Sequence, residues 1–269
     1  MKRIFITGAS AGIGLATAKL LAERGDEVWG TSRDISRLPS FPRFHPVRLE
    51  LNDDNVSLGQ SFNAALREAG HFDVLINNAG DIAYFGPMES IPPATLRAQF
   101  QTLVFAHVEL YQFALAAMRK QGRGRIINVT SLAARLPVPF QGPYNASKAA
   151  LASLTMSMQV ELEGSGIHII DVQPGDIGET RLHDPIETRN QPGTPGMERV
   201  WHVAHRNIKA APGPDLVARA IAKVIDADNP SPRVTVGSAF EAIMAPLIFR
   251  FLPQRVRIWG LKFFYGLPR

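Results

Sequence analysis

The sequence predicts an α/β fold: a Rossmann-like doubly wound parallel sheet with helices on both faces, built as a single domain. Short apolar runs alternate with stretches of helical spacing through six successive units, which is typical of strand–helix–strand crossovers. Turns rich in glycine or polar residues follow these runs where each strand would end. The length of 269 residues and the 45% hydrophobic content suit one large domain of this class.

The composition excludes several kinds of site. The sequence contains no cysteine, which rules out disulfides, thiolate zinc sites and a cysteine nucleophile and fits a reducing cytoplasm. No metal site is expected, because His183, His202 and His205 lack acidic or cysteine partners at ligand spacing. The net charge of +5 is modest, and no zinc-finger spacing or aromatic-interleaved basic motif indicates nucleic-acid binding.

The first unit is an apolar strand over residues 2–7, a glycine turn, and a helix predicted over Ile13–Arg24. The turn has the sequence TGASAGIG at positions 7–14. Glycine lets the backbone turn sharply and approach a ligand, while a helix N-terminus offers free N–H groups to a pyrophosphate. A purely structural turn is the alternative, and the strand–helix junction favours nucleotide binding.

The second strand, Glu27–Ser32, ends at Arg33. This position of a doubly wound sheet faces the adenosine ribose, where an acid suits the 2′-hydroxyl of NAD and an arginine suits the 2′-phosphate of NADP. No acid precedes Asp34, so the sequence favours NADP(H); NAD(H) and a plain surface arginine stay open. A proline-punctuated connection leads to a third strand predicted over Val47–Leu51.

Two further strands bring polar residues to the same edge. The fourth strand, Phe72–Ile76, runs into Asn77–Gly80, whose amides can hold strand ends together and whose small residues leave room for a flat ligand. A long helix is predicted over 93–120, and a fifth strand over Arg125–Thr130 then ends at Ser131. In parallel sheets ligands bind outside the carboxyl ends of the strands.

A helix predicted over Tyr144–Glu163 begins with the sequence YNASK, and a sixth strand over Ile167–Val172 ends in Pro174-Gly175. Tyr144 and Lys148 are four apart, so their side chains share one helix face. A lysine charge favours the phenolate and is expected to move the pKa of Tyr144 from about 10 toward the working pH. Tyr144 is thus a candidate proton donor and acceptor, although Y-x-x-x-K also occurs by chance.

With these motifs in place, the sequence resembles the classical short-chain dehydrogenase/reductase family. The resemblance covers roughly residues 1–180 and rests on TGASAGIG, NNAG at 77–80, Ser131, YNASK at 144–148 and PG at 174–175. It implies that Ser131 holds a substrate carbonyl oxygen, that Tyr144 exchanges the proton, and that Lys148 lowers the pKa of Tyr144 while bonding the nicotinamide ribose. The implied cofactor contacts are Gly8, Ser10, Gly12, Ile13, Gly14, Arg33, Glu50, Leu51, Asn78, Ala79, Gly80, Tyr144, Lys148, Pro174, Gly175 and Ile177.

The sequence departs from the family pattern at two positions. Family members usually carry an asparagine in the long helix that fixes a proton-relaying water, and counting back from Met118 places that position at Leu103. A bulged helix, substitution by Gln101 or Thr102, and a slower relay are the alternatives. After PG, the spacing to Thr180 is one residue longer than usual, which leaves its contact with the carboxamide open.

The dinucleotide-binding and catalytic domain is predicted to cover residues 1–238, with a substrate lid over about 181–214. A helix over Leu216–Ile225 and a strand over Arg233–Gly237 complete it. The tail, 239–269, mixes aromatic with basic residues, and its apolar stretch Ala242–Phe249 is too short to span a bilayer. The tail is expected to pack on the domain, on a second subunit or at a membrane surface.

These features together predict an NADP(H)-dependent oxidoreductase that transfers hydride between nicotinamide and a carbonyl or alcohol substrate of lipophilic character. A catalytically weakened regulatory or scaffold protein of the same fold is the alternative, and an epimerase or dehydratase is a third. We expect a cytoplasmic homodimer or homotetramer that uses the helices over 93–120 and 144–163 as its faces, with membrane association through the tail as a further option.

Overall fold

A seven-stranded parallel sheet forms the centre of the protein, in the strand order β3-β2-β1-β4-β6-β7-β9. The computed structural model describes residues 1–52, 55–180, 182, 187–188, 196–238 and 240–268. The seven strands are Arg3–Ile6 (β1), Glu27–Ser32 (β2), Phe44–Arg48 (β3), Val74–Asn77 (β4), Gly124–Val129 (β6), Ile167–Pro174 (β7) and Arg233–Val236 (β9). Tyr84–Phe85 (β5) and Glu187–Thr188 (β8) pair in a separate small sheet.

Helices cover both faces of the sheet, which confirms the predicted doubly wound fold. They are Gly12–Glu23 (α1), Asn55–Ala69 (α2), Pro93–Phe100 (α3), Ala106–Gln121 (α4), Gly142–Glu161 (α5), Met197–Ala210 (α6), Asp215–Asp226 (α7), Ala245–Phe251 (α8) and Gln254–Phe264 (α9). Helices α1 and α7 pack in one apolar layer, and α2, α4 and α5 pack in the other. Among the described residues, no helix is both long and apolar enough to cross a membrane.

Alternation along the strands sorts their side chains between the two layers. In β1, Ile4 and Ile6 join the layer of α1 and α7, whereas Phe5 joins the opposite layer, as the two-residue period of a strand requires. Phe5 contacts Phe62 of α2 edge to face, with ring centroids 5.0 Å apart. Because helices cover both faces, the central strands are mainly apolar, and polar residues such as Asn77 lie at their carboxyl ends.

The third strand begins three residues before the predicted Val47–Leu51. It runs over Phe44–Arg48 and contains Pro46. This strand lies at the edge of the sheet and pairs only with β2, and an edge strand tolerates a proline that donates no hydrogen bond. The prediction treated Pro46 as part of a connection, and the edge position is the reason that it was wrong.

The long helix predicted over 93–120 is interrupted. A π-helical turn over Gln101–Phe105 separates α3 from α4, so the bulged helix foreseen at Leu103 is observed. Helix α6 lies within the segment predicted as a lid, where the sequence predicted no helix. The remaining lid residues 181, 183–186 and 189–195, with His183, lie outside the described residues.

Candidate active site

A cavity of about 1000 Å³ opens along the carboxyl ends of the strands. It brings together residues from β1, β2, β4, β6 and β7, as the sequence predicted for a doubly wound sheet. Every predicted site residue lines it: Gly8, Ser10, Gly12, Ile13, Gly14, Arg33, Glu50, Leu51, Asn78, Ala79, Gly80, Ser131, Tyr144, Lys148, Pro174, Gly175 and Ile177.

The glycine turn forms a tight cradle at one end of the cavity. Gly8 has φ of +73°, a left-handed conformation that favours glycine. A Cβ at Gly14 would lie 2.0 Å from the Gly8 carbonyl oxygen and 2.6 Å from Asn78 Nδ2. The backbone therefore approaches its neighbours, and any ligand, as closely as only glycine allows, which suits a pyrophosphate at the start of α1.

We expect Gly14→Ala to raise the KM for a dinucleotide at least tenfold and to destabilise the protein by about 1–3 kcal/mol, because the new methyl group overlaps fixed backbone. Initial rates and thermal melting measure the two effects. Gly213→Ala is the matched control, since a Cβ there would meet only Glu179 Oε2 at 3.9 Å. Equal behaviour of the two variants would contradict a tight cradle.

Side-chain hydrogen bonds hold the ends of β1 and β4 together. Thr7 Oγ1 accepts from the backbone N–H groups of Asn78 and Ala79, both at 2.9 Å. Asn78 Nδ2 donates to the Thr7 carbonyl at 2.8 Å, and the buried Asn77 Nδ2 donates to Asn128 Oδ1 of β6 at 2.9 Å. The two amides therefore act as the sequence predicted, and they fix the floor of the cavity at the point where the strand order reverses.

Ser131, Tyr144 and Lys148 lie together beyond the end of β6. The Ser131 side chain interacts with the Tyr144 hydroxyl and lowers the pKa of Tyr144, and Ser131 Oγ accepts from the Ala133 N–H at 3.0 Å. Lys148 Nζ donates to the Val129 carbonyl at 2.8 Å and lies 5.9 Å from the centre of the Tyr144 ring. Both α5 side chains thus share one face, as their spacing of four residues requires.

Burial governs the protonation of this group. Tyr144 is 6% exposed and Lys148 is 3% exposed. Burial and, to a smaller degree, the charge of Asp176 raise the pKa of Tyr144 to about 12, and the interaction with Ser131 only partly offsets this rise. The expected lowering of this pKa is therefore wrong, because desolvation of the phenolate is the largest effect on it. Burial also lowers the pKa of Lys148 to about 8, against the attraction of Asp171.

The apolar residue at the family's asparagine position lies beside the lysine. Leu103 is fully buried in the π-helical turn. A Cβ placed on Gly80 would lie 2.4 Å from Leu103 Cδ2 and 3.8 Å from Lys148 Nζ. Thr102 Oγ1 donates to Asn52 Oδ1 at 2.8 Å, so this hydroxyl is already engaged at the cavity rim. The turn therefore places a methyl group, and not an amide, close to Lys148.

Sequence reasoning missed His107, which follows the π-helical turn. Its side chain is fully buried, and its carbonyl accepts from Asn77 Nδ2 at 3.2 Å. Burial, and next the charge of Lys148, lower the pKa of His107 to about 3, so its imidazole is neutral. Within the described residues, neither ring nitrogen makes a well-aligned hydrogen bond. A histidine on the sheet-facing side of a helix is the signal that could have found it.

The segment after PG accommodates its extra residue through a left-handed backbone conformation at Glu179. Glu179 adopts φ of +55°, an uncommon left-handed conformation for a residue other than glycine. The chain then returns Thr180 to the glycine turn, where a Cβ on Gly12 would lie 3.4 Å from Thr180 Cβ. Thr180 lines the cavity despite its unusual spacing.

Charged residues of both signs line the adenosine end of the cavity, where Arg33 and Glu50 lie near enough to Asp81 to act on its pKa. The exposed Arg33 and Arg37 line this end. Asp34 is turned aside, because its Oδ1 accepts from the Ser36 N–H at 3.0 Å and from the Ser36 hydroxyl at 2.7 Å. The carboxylate that follows Arg33 in sequence therefore caps a short helical turn and does not line the cavity.

The opposite end of the cavity is apolar and is bordered by the tail, for which the sequence left packing on the domain as one of three alternatives. Residues of α6, α8 and α9 line this end. The tail is anchored on α6, where Arg199 Nη1 donates to the Gly266 carbonyl at 3.1 Å and Tyr265 joins a buried cluster with Met197 and Val200. Contacts between distant segments build this wall, so no local pattern could indicate it.

Comparison with known proteins identifies the family. The family model described as short chain dehydrogenase matches residues 2–191. The chain belongs to the short-chain dehydrogenase/reductase family. It is 31% identical to the 3-ketodihydrosphingosine reductase of Bacteroides thetaiotaomicron over 270 residues, which cover 98% of each chain. This short-chain dehydrogenase/reductase is therefore an oxidoreductase, and its likeness to that relative extends through the tail.

Solved structures of the same family share the fold. A short-chain dehydrogenase from Streptomyces avermitilis superposes with a TM-score of 0.80 at 28% identity, covering 92% of this chain and 90% of that one. A metagenomic short-chain oxidoreductase, solved in complex with NADP, superposes with a TM-score of 0.70 at 27% identity. The match covers 87% of this chain and 96% of that one. The described residues contain no cluster of three or more histidine and acidic side chains that could hold a metal ion.

Proposed function

We propose that this protein is an NADP(H)-dependent reductase of a ketone carried on a long apolar chain. One observation carries the proposal: Ser131 and Tyr144 lie side by side with a buried Lys148, in a cavity with two arginines at its nucleotide end and apolar residues at its substrate end. NADP and NAD differ only in the group at the adenosine 2′ position, and Arg33 and Arg37 lie at that end. A nicotinamide cofactor fits the glycine cradle, which added side chains would fill.

The residues of the site have distinct roles in this proposal. The bound nicotinamide supplies the hydride to the carbonyl carbon. Ser131 donates a hydrogen bond to the carbonyl oxygen, and Tyr144, protonated at neutral pH because burial raises its pKa to about 12, gives its proton to the oxygen as negative charge develops there. Lys148, as an ammonium group, stabilises the resulting phenolate and bonds the ribose. Neutral Tyr144 suits the reductive direction.

The preference for NADP(H) rests on Arg33. An arginine pairs with a phosphate through two parallel hydrogen bonds, and the neighbouring Asp34 is engaged by Ser36. The NADP complex of the metagenomic relative supports the same cofactor class.

We expect Arg33→Ala to raise the KM for NADPH roughly 10- to 100-fold, since a charge-assisted hydrogen bond contributes about 1.5–3 kcal/mol, and to leave the KM for NADH nearly unchanged. Initial rates with both cofactors measure the difference. Arg48→Ala, on the exposed face of β3 outside the cavity, is the matched control. Equal losses with the two cofactors, or a parent enzyme that prefers NADH, would overturn the assignment.

The substrate class is inferred from the apolar end of the cavity and from the relative that reduces 3-ketodihydrosphingosine, whose length matches this chain through the tail. A panel of 3-ketodihydrosphingosine, shorter 3-keto analogues and a water-soluble ketone tests the inference. We expect kcat/KM to rise with chain length. A flat or falling series would overturn the lipophilic substrate while leaving the reductase intact.

A scaffold protein that binds NADPH without turnover is the second candidate, and Leu103 beside Lys148 is the observation that favours it. Oxidation of NADPH by any ketone of the panel decides against it.

We further propose a cytoplasmic homo-oligomer that associates through α4 and α5, where Leu154, Met156 and Val160 are exposed, and a tail that contacts a membrane from the aqueous side. Sedimentation of the parent and of Val160→Asp tests the oligomer, and the variant should have a lower mass. An equal mass for the two proteins would show that the oligomer does not form through this face.

A further inference from the structure

Helix α9 has two faces of different character. Val256, Gly260, Leu261 and Phe264 line the cavity. The opposite face presents residues at intervals of three and four positions, which lie side by side along a helix. These residues are Arg255, Ile258, Trp259, Lys262 and Phe263. None of the five lines the cavity, so this face has no role in enclosing a substrate.

The outward face is strongly apolar. Phe263 is 77% exposed and Trp259 is 58% exposed, and their rings stack with centroids 5.7 Å apart. Phe251 of α8 is 75% exposed. Most of the large apolar side chains that the described chain leaves exposed lie in this tail: Phe240, Met244, Leu247, Ile248, Phe251, Val256, Ile258, Trp259, Phe263 and Phe264. A patch of this kind marks an interaction surface.

The same surface is positively charged. The sequence of residues 240–268 contains four basic residues, Arg250, Arg255, Arg257 and Lys262, and one acidic residue, Glu241. Arg257 holds the turn between α8 and α9, because it donates to the carbonyls of Leu252 at 2.7 Å and Arg250 at 2.9 Å. Arg250 lies 6.0 Å from the centre of the exposed Phe251 ring, and Arg255 and Lys262 lie four residues before and three residues after Trp259 along the helix. Aromatic rings between cations are typical of helices that lie in the interface of an anionic bilayer.

The mouth of the cavity opens at this surface. Ile248, Val256 and Phe264 both line the cavity and remain 45%, 39% and 53% exposed. They therefore mark the boundary between the apolar end of the active site and the outside. A lipid that leaves a bilayer at this point passes from one apolar environment to another and exposes little of its chain to water.

We propose that α8 and α9 dock on an anionic lipid bilayer and that the active-site cavity takes its substrate from that bilayer through the mouth between the two helices. The docking stands on the surface alone, whereas the delivery of substrate rests on the proposed reductase function. The bilayer is favoured over a second copy of the chain, because two copies meeting through this face would bring Arg250, Arg255 and Lys262 against the same cations.

Co-flotation with phosphatidylcholine vesicles, with and without phosphatidylglycerol, tests the docking. We expect the parent protein to float with the anionic vesicles, to bind at least tenfold less to the neutral vesicles, and to be released by high salt. Trp259→Ala/Phe263→Ala and Arg255→Glu/Lys262→Glu should each lower binding at least tenfold. Val56→Ala and Lys120→Glu/Arg123→Glu are the matched exposed controls in α2 and near α4, and they should bind as the parent does.

Three results would overturn the docking: no flotation of the parent with anionic vesicles, equal binding of the tail variants, or self-association that Trp259→Ala/Phe263→Ala abolishes in the absence of vesicles. Tyr144→Phe should float with the anionic vesicles as the parent does, because docking does not depend on catalysis. The docking test therefore gives a clear result even if the proposed reductase function is wrong. For delivery, the two tail variants should reduce a vesicle-borne long-chain ketone at least tenfold more slowly and a water-soluble ketone at the parent rate. Equal losses on both substrates would refute delivery.

Discussion

Tyr144→Phe is expected to lower kcat for ketone reduction by about 10²–10⁴-fold, the contribution typical of a positioned proton donor. The variant keeps the ring that packs in the buried cluster with Ile82, Leu103 and Val104 and loses only the hydroxyl that interacts with Ser131. The Kd for NADPH should change less than threefold, because the hydroxyl is one of many cofactor contacts. Single-turnover rates and fluorescence titration with NADPH measure the two quantities separately.

The matched control is Tyr111→Phe, which removes the hydroxyl of a buried tyrosine of α4 outside the cavity. It should keep the parent rate. If Tyr144→Phe retained a rate within a few-fold of the parent, or if Tyr111→Phe lost as much, the proton would come from another group and the assignment of Tyr144 would fail.

Lys148→Met is expected to lower kcat/KM at least 100-fold, because it removes the cation that stabilises the Tyr144 phenolate and a ligand of the ribose. The loss should fall on both kcat and the KM for NADPH, whereas Tyr144→Phe affects mainly kcat. Steady-state kinetics separate the two patterns. Lys223→Met, exposed on α7, should behave as the parent, and a Lys148→Met loss confined to KM would show that the lysine only binds cofactor.

The same substitution should change how stability depends on pH. Burial lowers the pKa of Lys148 from 10.5 to about 8, so between these values the unfolded chain binds more protons than the folded protein. The stability of the parent therefore gains a contribution as pH rises from 8 to 10.5, and it lacks this contribution below pH 8. We expect the Tm of Lys148→Met, relative to the parent, to fall between pH 7 and pH 10. A difference independent of pH would contradict a buried lysine.

Local patterns were enough to predict the sheet and the cofactor half of the site. The alternation of apolar strands and helices places the glycine turn, Asn78 and Ser131 at strand ends, and a parallel sheet brings those ends to one edge. Tyr144 and Lys148 meet because they are four residues apart on one helix. Each of these inferences depends only on short-range geometry and on the topology of the sheet.

The rest depends on contacts between distant parts of the chain. The pKa of Tyr144 follows from how much water the fold removes, which spacing does not determine, and its direction was mispredicted. The lining of the apolar end of the cavity by the tail depends on the packing of Tyr265 on α6, and His107 is buried directly after the π-helical turn. Pro46 in β3 was misassigned because its tolerance depends on an edge position.

The most direct test of the central claim is hydride transfer itself. Parent enzyme is incubated with 3-ketodihydrosphingosine and with NADPH deuterated at either face of nicotinamide C4, and the alcohol is examined by mass spectrometry. The account predicts that one of the two labelled cofactors places a single deuterium on the carbinol carbon and that Tyr144→Phe forms this product at least 100-fold more slowly. NADPH that binds tightly but transfers deuterium to no ketone of the panel would contradict a reductase.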